Sequence, residues 1–190
     1  MRLLNPFPAA MTLLLLALSA HAHSADGPHE GEARGGHVPD VALVDQDGRS
    51  VRLYSDLLKG KVAVISFIYT SCEAVCSLQG ATYAKLQALV RDRAGKEVVF
   101  ISVSADPGVD TPERLKAWGE RFGARRGWTL LTGETGEIDR LSLALTGDRA
   151  RTGIHTPLVF IGDYERGKKI RANALADPSR LARDIESLRD

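Results

Sequence analysis

Cys72 and Cys76 are the two cysteines of a 190-residue chain, and Glu73, Ala74 and Val75 separate them. A bridge across so short a loop contributes only about 2 kcal/mol in the chain-entropy model, so the spacing suits chemistry better than stapling. The pair follows the apolar run of residues 62–69 (VAVISFIY) and precedes a segment with helical periodicity. It therefore belongs at a strand-to-helix junction. Residues four apart at a helix start lie one turn apart on the same side, where both sulfurs can meet one metal ion or each other. The partial positive charge of a helix N-terminus favours thiolate at Cys72, the form that binds soft metals or attacks disulfides.

Four of the five histidines lie at or before position 37, which leaves His155 as the histidine of the chain body. It stands just before a third apolar segment, residues 156–161 (TPLVFI). In an α/β sandwich the loop before such a strand faces the loop after the first one, so Cys72, Cys76 and His155 can converge on one point. Two thiolates and an imidazole suit Cu(I) and can also hold Cu(II). Structural zinc usually takes four ligands, and no obvious fourth is offered. The same sulfurs serve a second chemistry, thiol–disulfide exchange with Cys72 as nucleophile and Cys76 as resolving thiol. Inert readings stand beside these: a surface disulfide for the pair and a satisfied histidine at a strand end for His155.

The elements that must position these groups follow from pattern. Residues 41–44 and 51–53 flank Asp47-Gly48, a turn that needs positive φ, and read as a hairpin covering one edge of the domain. Residues 62–69 and 98–103 read as buried parallel strands, continuous in apolar and β-branched residues. Leu78, Tyr83, Leu86, Leu89 and Val90 mark the helix after the cysteines. Asp110-Thr-Pro-Glu113 opens another helix, with Asp110 as cap, Pro112 in the first turn and Glu113 completing a capping box. Residues 138–145 form a short amphipathic helix, and residues 168–171 pair beside the third strand across a turn at Gly167. Asp177 starts a final helix carrying Leu181, Ile185 and Leu188. Trp118 and Trp128 are assigned to the core or to helix packing. Asp106 and Asp110 are explained by capping and turn formation.

Composition bounds the rest. Residues 1–22 have the form of a secretory signal: Arg2, an apolar run over 9–20 too short for a bilayer span, and Ala20-His21-Ala22 as a cleavage site. Cleavage leaves 168 residues, a length for one domain, with 24 basic and 24 acidic side chains. That balance removes the electrostatic case for nucleic acid. Both methionines, Met1 and Met11, fall within the signal, which excludes a methionine-based copper site in the mature chain. Residues 23–36 read as a mobile tail, and His23, His29 and His37 read as histidines scattered along a solubilising linker. The domain proper is expected over 37–190.

Several blocks resemble the Sco/SenC family of copper chaperones. Phe67-Ile-Tyr-Thr-Ser-Cys72-Glu-Ala-Val-Cys76 is similar to its cysteine motif, and residues 102–113 (SVSADPGVDTPE) are similar to its second hallmark block. Residues 128–133 (WTLLTG) also resemble a family segment, and His155 falls where the family's metal-binding histidine precedes a strand. The resemblance implies a thioredoxin-like sandwich with an N-terminal β-hairpin extension. It also implies a periplasmic copper-binding protein that assists assembly of the copper centre of cytochrome c oxidase. On that resemblance Cys72, Cys76 and His155 are the ligands of Cu(I) or Cu(II), and Asp106 or Asp110 belongs to a supporting loop. The implied partners are the copper-site subunit of the oxidase, or another copper acceptor, and a thiol–disulfide reductase that keeps the cysteines loadable. Glu73 and Ser77 stand where the family commonly has proline. Pro157 falls where thioredoxin-like oxidoreductases place a cis-proline facing the cysteine pair, a feature that supports redox activity.

Overall fold

The computed structural model describes residues 38–152 and 157–189. The expected signal segment, the tail with His23, His29 and His37, and His155 all lie outside the described residues. Seven strands form one sheet: β1 (Ala42–Asp45), β2 (Ser50–Arg52), β3 (Val62–Ile68), β4 (Val98–Ser104), β5 (Trp128–Thr132), β6 (Leu158–Asp163) and β7 (Lys168–Asn173), in the spatial order β2-β1-β5-β4-β3-β6-β7. Four α-helices accompany them: α1 (Val75–Leu89), α2 (Pro112–Arg121), α3 (Thr135–Thr146) and α4 (Pro178–Ser187). Among the described residues no helix is long and apolar enough to cross a membrane.

The central strands β3 and β4 are apolar except for the buried Ser66, Ser102 and Ser104, because both faces of the sheet are covered. Val62, Val64 and Ile68 of β3 face the core shared with Tyr83 and Leu86 of α1, Leu115 and Trp118 of α2, and Leu181 and Ile185 of α4. Ala63 and Ile65, alternating with them, face the second core with Ile138, Leu141 and Leu145 of α3. β3 runs parallel to β4 over seven residue pairs and antiparallel to β6. The result is a thioredoxin-like α/β sandwich. The β1–β2 hairpin extends it at one edge, with β1 antiparallel to β5 and Gly48 taking the φ of +76° that its turn requires.

Two expectations need correction, and one strand stands outside all of them. Trp128–Thr132 is a strand, parallel to β4 and joining the hairpin to the rest of the sheet. Five residues between Gly127 and Gly133 are too few for a clear period. Trp128 does belong to the core, and its Nε1 donates to Ser102 Oγ at 3.0 Å. The face of α1 also differs from the expected stripe: Leu78 and Leu89 are more than half exposed, while Cys76, Gln79, Gly80, Tyr83, Leu86 and Gln87 are buried. Gly80 is required there because the ring of Phe122 lies where a Cβ would sit, at 2.6 Å. Finally, Asp110 does not cap α2. Thr111 does, accepting the Arg114 N–H at 3.3 Å, and Glu113 sits one position too early for a capping box.

Candidate metal and redox centre

The cysteines lie where β3 ends and α1 begins. Cys72 falls in the turn between them, its N–H donating to the Tyr69 carbonyl at 3.1 Å. Cys76 is the second residue of α1. The residue at the N-cap position, Ala74, has no side-chain oxygen to offer, and the Cys76 N–H donates instead to Cys72 Sγ at 3.3 Å. The sulfur thus takes one of the helix's unpaired N–H groups, the office usually filled by Ser, Thr, Asp or Asn. Both thiols are free; Cys72 is 7 % exposed and Cys76 1 %.

The two sulfurs are driven apart in acidity. Burial alone would raise Cys72, but donors from the Cys76 thiol and N–H, the Tyr69 side chain and the Ala74 N–H together hold it below the ordinary thiol value. Cys76 is pushed up to about 12, first by burial, then by its hydrogen bond to Cys72 and by the negative charge of Cys72 and Asp110. The pair is thus asymmetric, and Cys72 is the readier of the two to ionise.

Asp110 supports this loop from β4's side. It is 1 % exposed and accepts three hydrogen bonds: from the Thr70 N–H at 3.1 Å, from the Thr70 hydroxyl at 2.6 Å and from the Ser104 hydroxyl at 2.7 Å. Ser104 Oγ in turn accepts the Asp106 N–H at 3.0 Å, and the Asp110 N–H donates to the Asp106 carbonyl at 2.9 Å. Asp110 therefore fixes the residue two before Cys72. The motif Asp-Thr-Pro-Glu imitates a cap, which is why pattern alone assigned Asp110 to the helix.

His155 lies outside the described residues, so the structure brings together Cys72 and Cys76 and is silent on the third expected ligand. Among the described residues no group of three or more His, Cys, Asp or Glu side chains is arranged to hold a metal ion. Among them no peptide bond is cis, and the bond preceding Pro157 involves a residue outside them. Pro157 itself lines a cavity of about 340 Å³ that opens beside Cys76, with Phe67, Val75, Gln79 and Phe160 among its walls. Gln79 is the residue of this region that sequence reasoning missed. A glutamine in the buried stripe of a helix gives no periodic signal.

The SCO1/SenC family profile matches residues 27–189. The SCO1 protein homolog of Bacillus subtilis is 36 % identical over 108 residues, which cover 56 % of this chain and 54 % of that protein. The chain spans about half the length of the curated relatives it matches. Among solved structures, BsSco, described as a member of the Sco family of cytochrome c oxidase assembly proteins with a disulfide switch, superposes with a TM-score of 0.70. It is 26 % identical, with coverage of 84 % of this chain and 96 % of that one. ScoI of Bradyrhizobium japonicum with copper bound has a TM-score of 0.60 and 28 % identity, covering 81 % of this chain and 98 % of that one.

Proposed function

This chain belongs to the SCO1/SenC family, and from that premise we propose that it is an exported, periplasmic copper chaperone. Cys72, Cys76 and His155 hold one copper ion, which passes to the copper-site subunit of cytochrome c oxidase or another copper acceptor. The observation that carries the reading is the shared cradle of the two sulfurs, with Cys72 Sγ accepting the Cys76 N–H at 3.3 Å at the mouth of α1. Thiolates are the soft donors that Cu(I) prefers, and an added imidazole extends the set to Cu(II). Copper is bound in the related ScoI of Bradyrhizobium japonicum.

His155 enters by chain distance. It stands three residues before Leu158, the first residue of β6, and three residues span at most about 11 Å. β6 is the antiparallel neighbour of β3, with Val159 opposite Ser66, so its start lies beside the strand end from which the cysteine loop departs. Among the described residues no third donor completes a cluster with the two sulfurs, and His155 is a histidine that chain distance leaves within reach. Titration of the reduced protein with Cu(I) and Cu(II), followed by absorbance and paramagnetic resonance, tests the assignment. One equivalent is expected for wild type. His155→Ala should lose the Cu(II) spectrum, and Cys72→Ser or Cys76→Ser should lose both ions. Unchanged binding by His155→Ala refutes that ligand.

A second reading, thiol–disulfide exchange with target cysteines, is favoured by the unequal burial of the pair. Cys72, the more accessible sulfur, attacks a target disulfide and displaces one target sulfur as thiolate. Cys76 then attacks the mixed disulfide, releasing the second target thiol and leaving a Cys72–Cys76 disulfide, which a separate thiol–disulfide reductase returns to the dithiol. Insulin reduction measures this directly, and no turnover above a Cys72→Ser control counts against it.

A further inference from the structure

At the end of the sheet where β4 and β5 begin, opposite the cysteines, lies a second cavity of about 540 Å³. Arg91, Lys96, Arg125 and Arg126 stand around it, and Ala84 and Ala88 of α1 give it an apolar wall. Among the described residues none of its walls is acidic. The whole chain is nearly neutral, with 25 basic and 24 acidic side chains, so four cations about one cavity reflect placement rather than composition. Two carboxylates meet the loop before β4, and both are committed elsewhere: Glu97 pairs with Arg189 at 2.7 Å, and Glu186 pairs with Arg93 and Arg189. Arg91 has Asp92 at 3.8 Å, both side chains largely exposed, and its place after the C-terminus of α1 suits the helix dipole. Lys96, Arg125 and Arg126 have no such role, and no carboxylate among the described residues comes within ion-pair distance of them.

The two arginines stand on a fixed main chain. The buried Gln87 accepts the Arg125 N–H at 3.1 Å and donates to the Arg125 and Arg126 carbonyls, each at 3.2 Å. Gly127, the next residue, is pressed against the backbone of Gly95, the residue before Lys96. The two cation-bearing loops are therefore joined to each other, and less ordering is lost when a ligand arrives. Like charges gathered on one cavity repel, so holding them there without a counter-charge points to an anion from outside the chain.

We propose that this cavity binds a phosphate ester with an apolar portion. The phosphate meets Arg91, Lys96, Arg125 and Arg126, and the apolar portion lies against Ala84 and Ala88. A carboxylate offers two oxygens and is satisfied by one guanidinium fork, whereas a phosphate group has enough acceptor sites for several forks and an ammonium at once. The volume falls within the range of about 300–1,000 Å³ found for small-molecule pockets. A lipid headgroup and a free phosphate ester share this chemistry. The site is independent of the reading of the cysteines, because α1, 15 residues and so about 22 Å long, runs between them. An occupied cavity leaves the thiols open.

Calorimetric titration and vesicle sedimentation of the full chain test the proposal. The soluble probes are inorganic phosphate and dihexanoyl phosphatidylglycerol below its micelle-forming concentration; the vesicles are phosphatidylcholine with and without phosphatidylglycerol. Saturable binding of the soluble lipid assigns a free phosphate ester, and binding confined to the phosphatidylglycerol vesicles assigns a headgroup at a bilayer; binding of neither overturns the proposal. Arg125→Ala/Arg126→Ala should weaken the observed binding by roughly tenfold or more, and Lys96→Ala, on the other loop, by about threefold or more. Arg171→Ala/Arg183→Ala removes the same charge from outside the cavity and should change binding by less than about twofold. Equal losses in the two double variants would reduce the effect to net charge and overturn the cavity, as would full affinity in Lys96→Ala. Where the soluble lipid binds, inorganic phosphate should bind more weakly than it does, and equal affinity removes the apolar wall from the site. A hexaglutamate peptide that binds as tightly as the phosphate probes, and is lost in the same variants, gives the cavity to an acidic protein segment and overturns the phosphate assignment. The thermal midpoint should hold in all these variants, since each side chain is exposed.

Discussion

The two ends of the sheet are built on opposite plans. Where β4 and β5 begin, Gly95 and Gly127 are pressed backbone to backbone, and a Cβ on Gly127 would stand 2.3 Å from the Gly95 nitrogen. Where β3 and β4 finish, side chains do the joining: Asp110 gathers Thr70 and Ser104, Cys72 Sγ takes a helix N–H, and a cavity stays open beside Cys76. The seam between the two glycines has no space for a methyl group on Gly127. The open end keeps a buried carboxylate and two thiols, features that a fold optimised only for stability would remove.

The sharpest way to break this contrast is at the closed end. Gly127 has φ +93°, so Gly127→Ala combines a strained backbone with a collision against Gly95 and Ala94 backbone atoms. Backbone strain and overpacking together predict a loss of about 3–4 kcal/mol, or about 10 °C in the thermal midpoint. Labelling of the cysteines in the folded population should not change. A loss under about 1 kcal/mol would show that the seam between the two glycines yields easily, and the contrast would fail.

At the open end the corresponding cut is Asp110→Ala. It leaves the Thr70 hydroxyl and N–H and the Ser104 hydroxyl without their acceptor. Unsatisfied buried donors predict a loss of about 2–3 kcal/mol by chemical denaturation. Unlike Gly127→Ala, this variant should also alter cysteine reactivity, because Thr70 lies two residues before Cys72. Equal effects on stability with no change at the thiols would reduce Asp110 to an ordinary core group.

How much of this was legible in the sequence follows the same division. The apolar runs of β3, β4 and β6 reveal themselves because strands covered on both faces carry little else, and the cysteine pair declares its junction by standing between such a run and a helix. β5 was hidden by its five-residue length, and the face of α1 was misread because Leu78 and Leu89 imitate a core stripe while Gln79, Gly80 and Gln87 occupy the true one. Gln87 is there to bond the backbone of the loop before β5: its Nε2 donates to the Arg125 and Arg126 carbonyls at 3.2 Å. Asp110 was visible as a residue but not as a role, since a cap and a buried three-donor acceptor share the same local spelling. Partners 40 residues away in sequence leave no periodic trace.

A smaller cut separates the two offices that the sequence merged at this place. Thr111→Ala removes the cap of α2, which accepts the Arg114 N–H, and should cost about 1 kcal/mol in thermal or chemical unfolding. It should leave cysteine reactivity where it was, because the cap faces the helix and Asp110 faces Thr70. A change in thiol reactivity comparable to that of Asp110→Ala would mean that the two neighbours act as one unit.

The finest test concerns protons. Cys72 is held below the ordinary thiol value and Cys76 is raised to about 12. A depressed thiol carries more than the usual thiolate fraction near neutrality, whereas one raised to about 12 stays protonated until the solution is strongly alkaline. Iodoacetamide at pH 8 should therefore place one equivalent on Cys72 of the reduced apoprotein, with the second label on Cys76 appearing only far up the alkaline range. Because the Asp110 carboxylate is among the smaller causes that raise Cys76, Asp110→Asn should shift that second step modestly downward in pH. The sign is fixed, since removing a nearby negative charge makes a second negative charge easier to form. Equal labelling of both cysteines at pH 8, read by mass spectrometry of the two sites, would erase the asymmetry. An upward shift in Asp110→Asn would show that Asp110 acts on Cys76 through loop geometry rather than through charge.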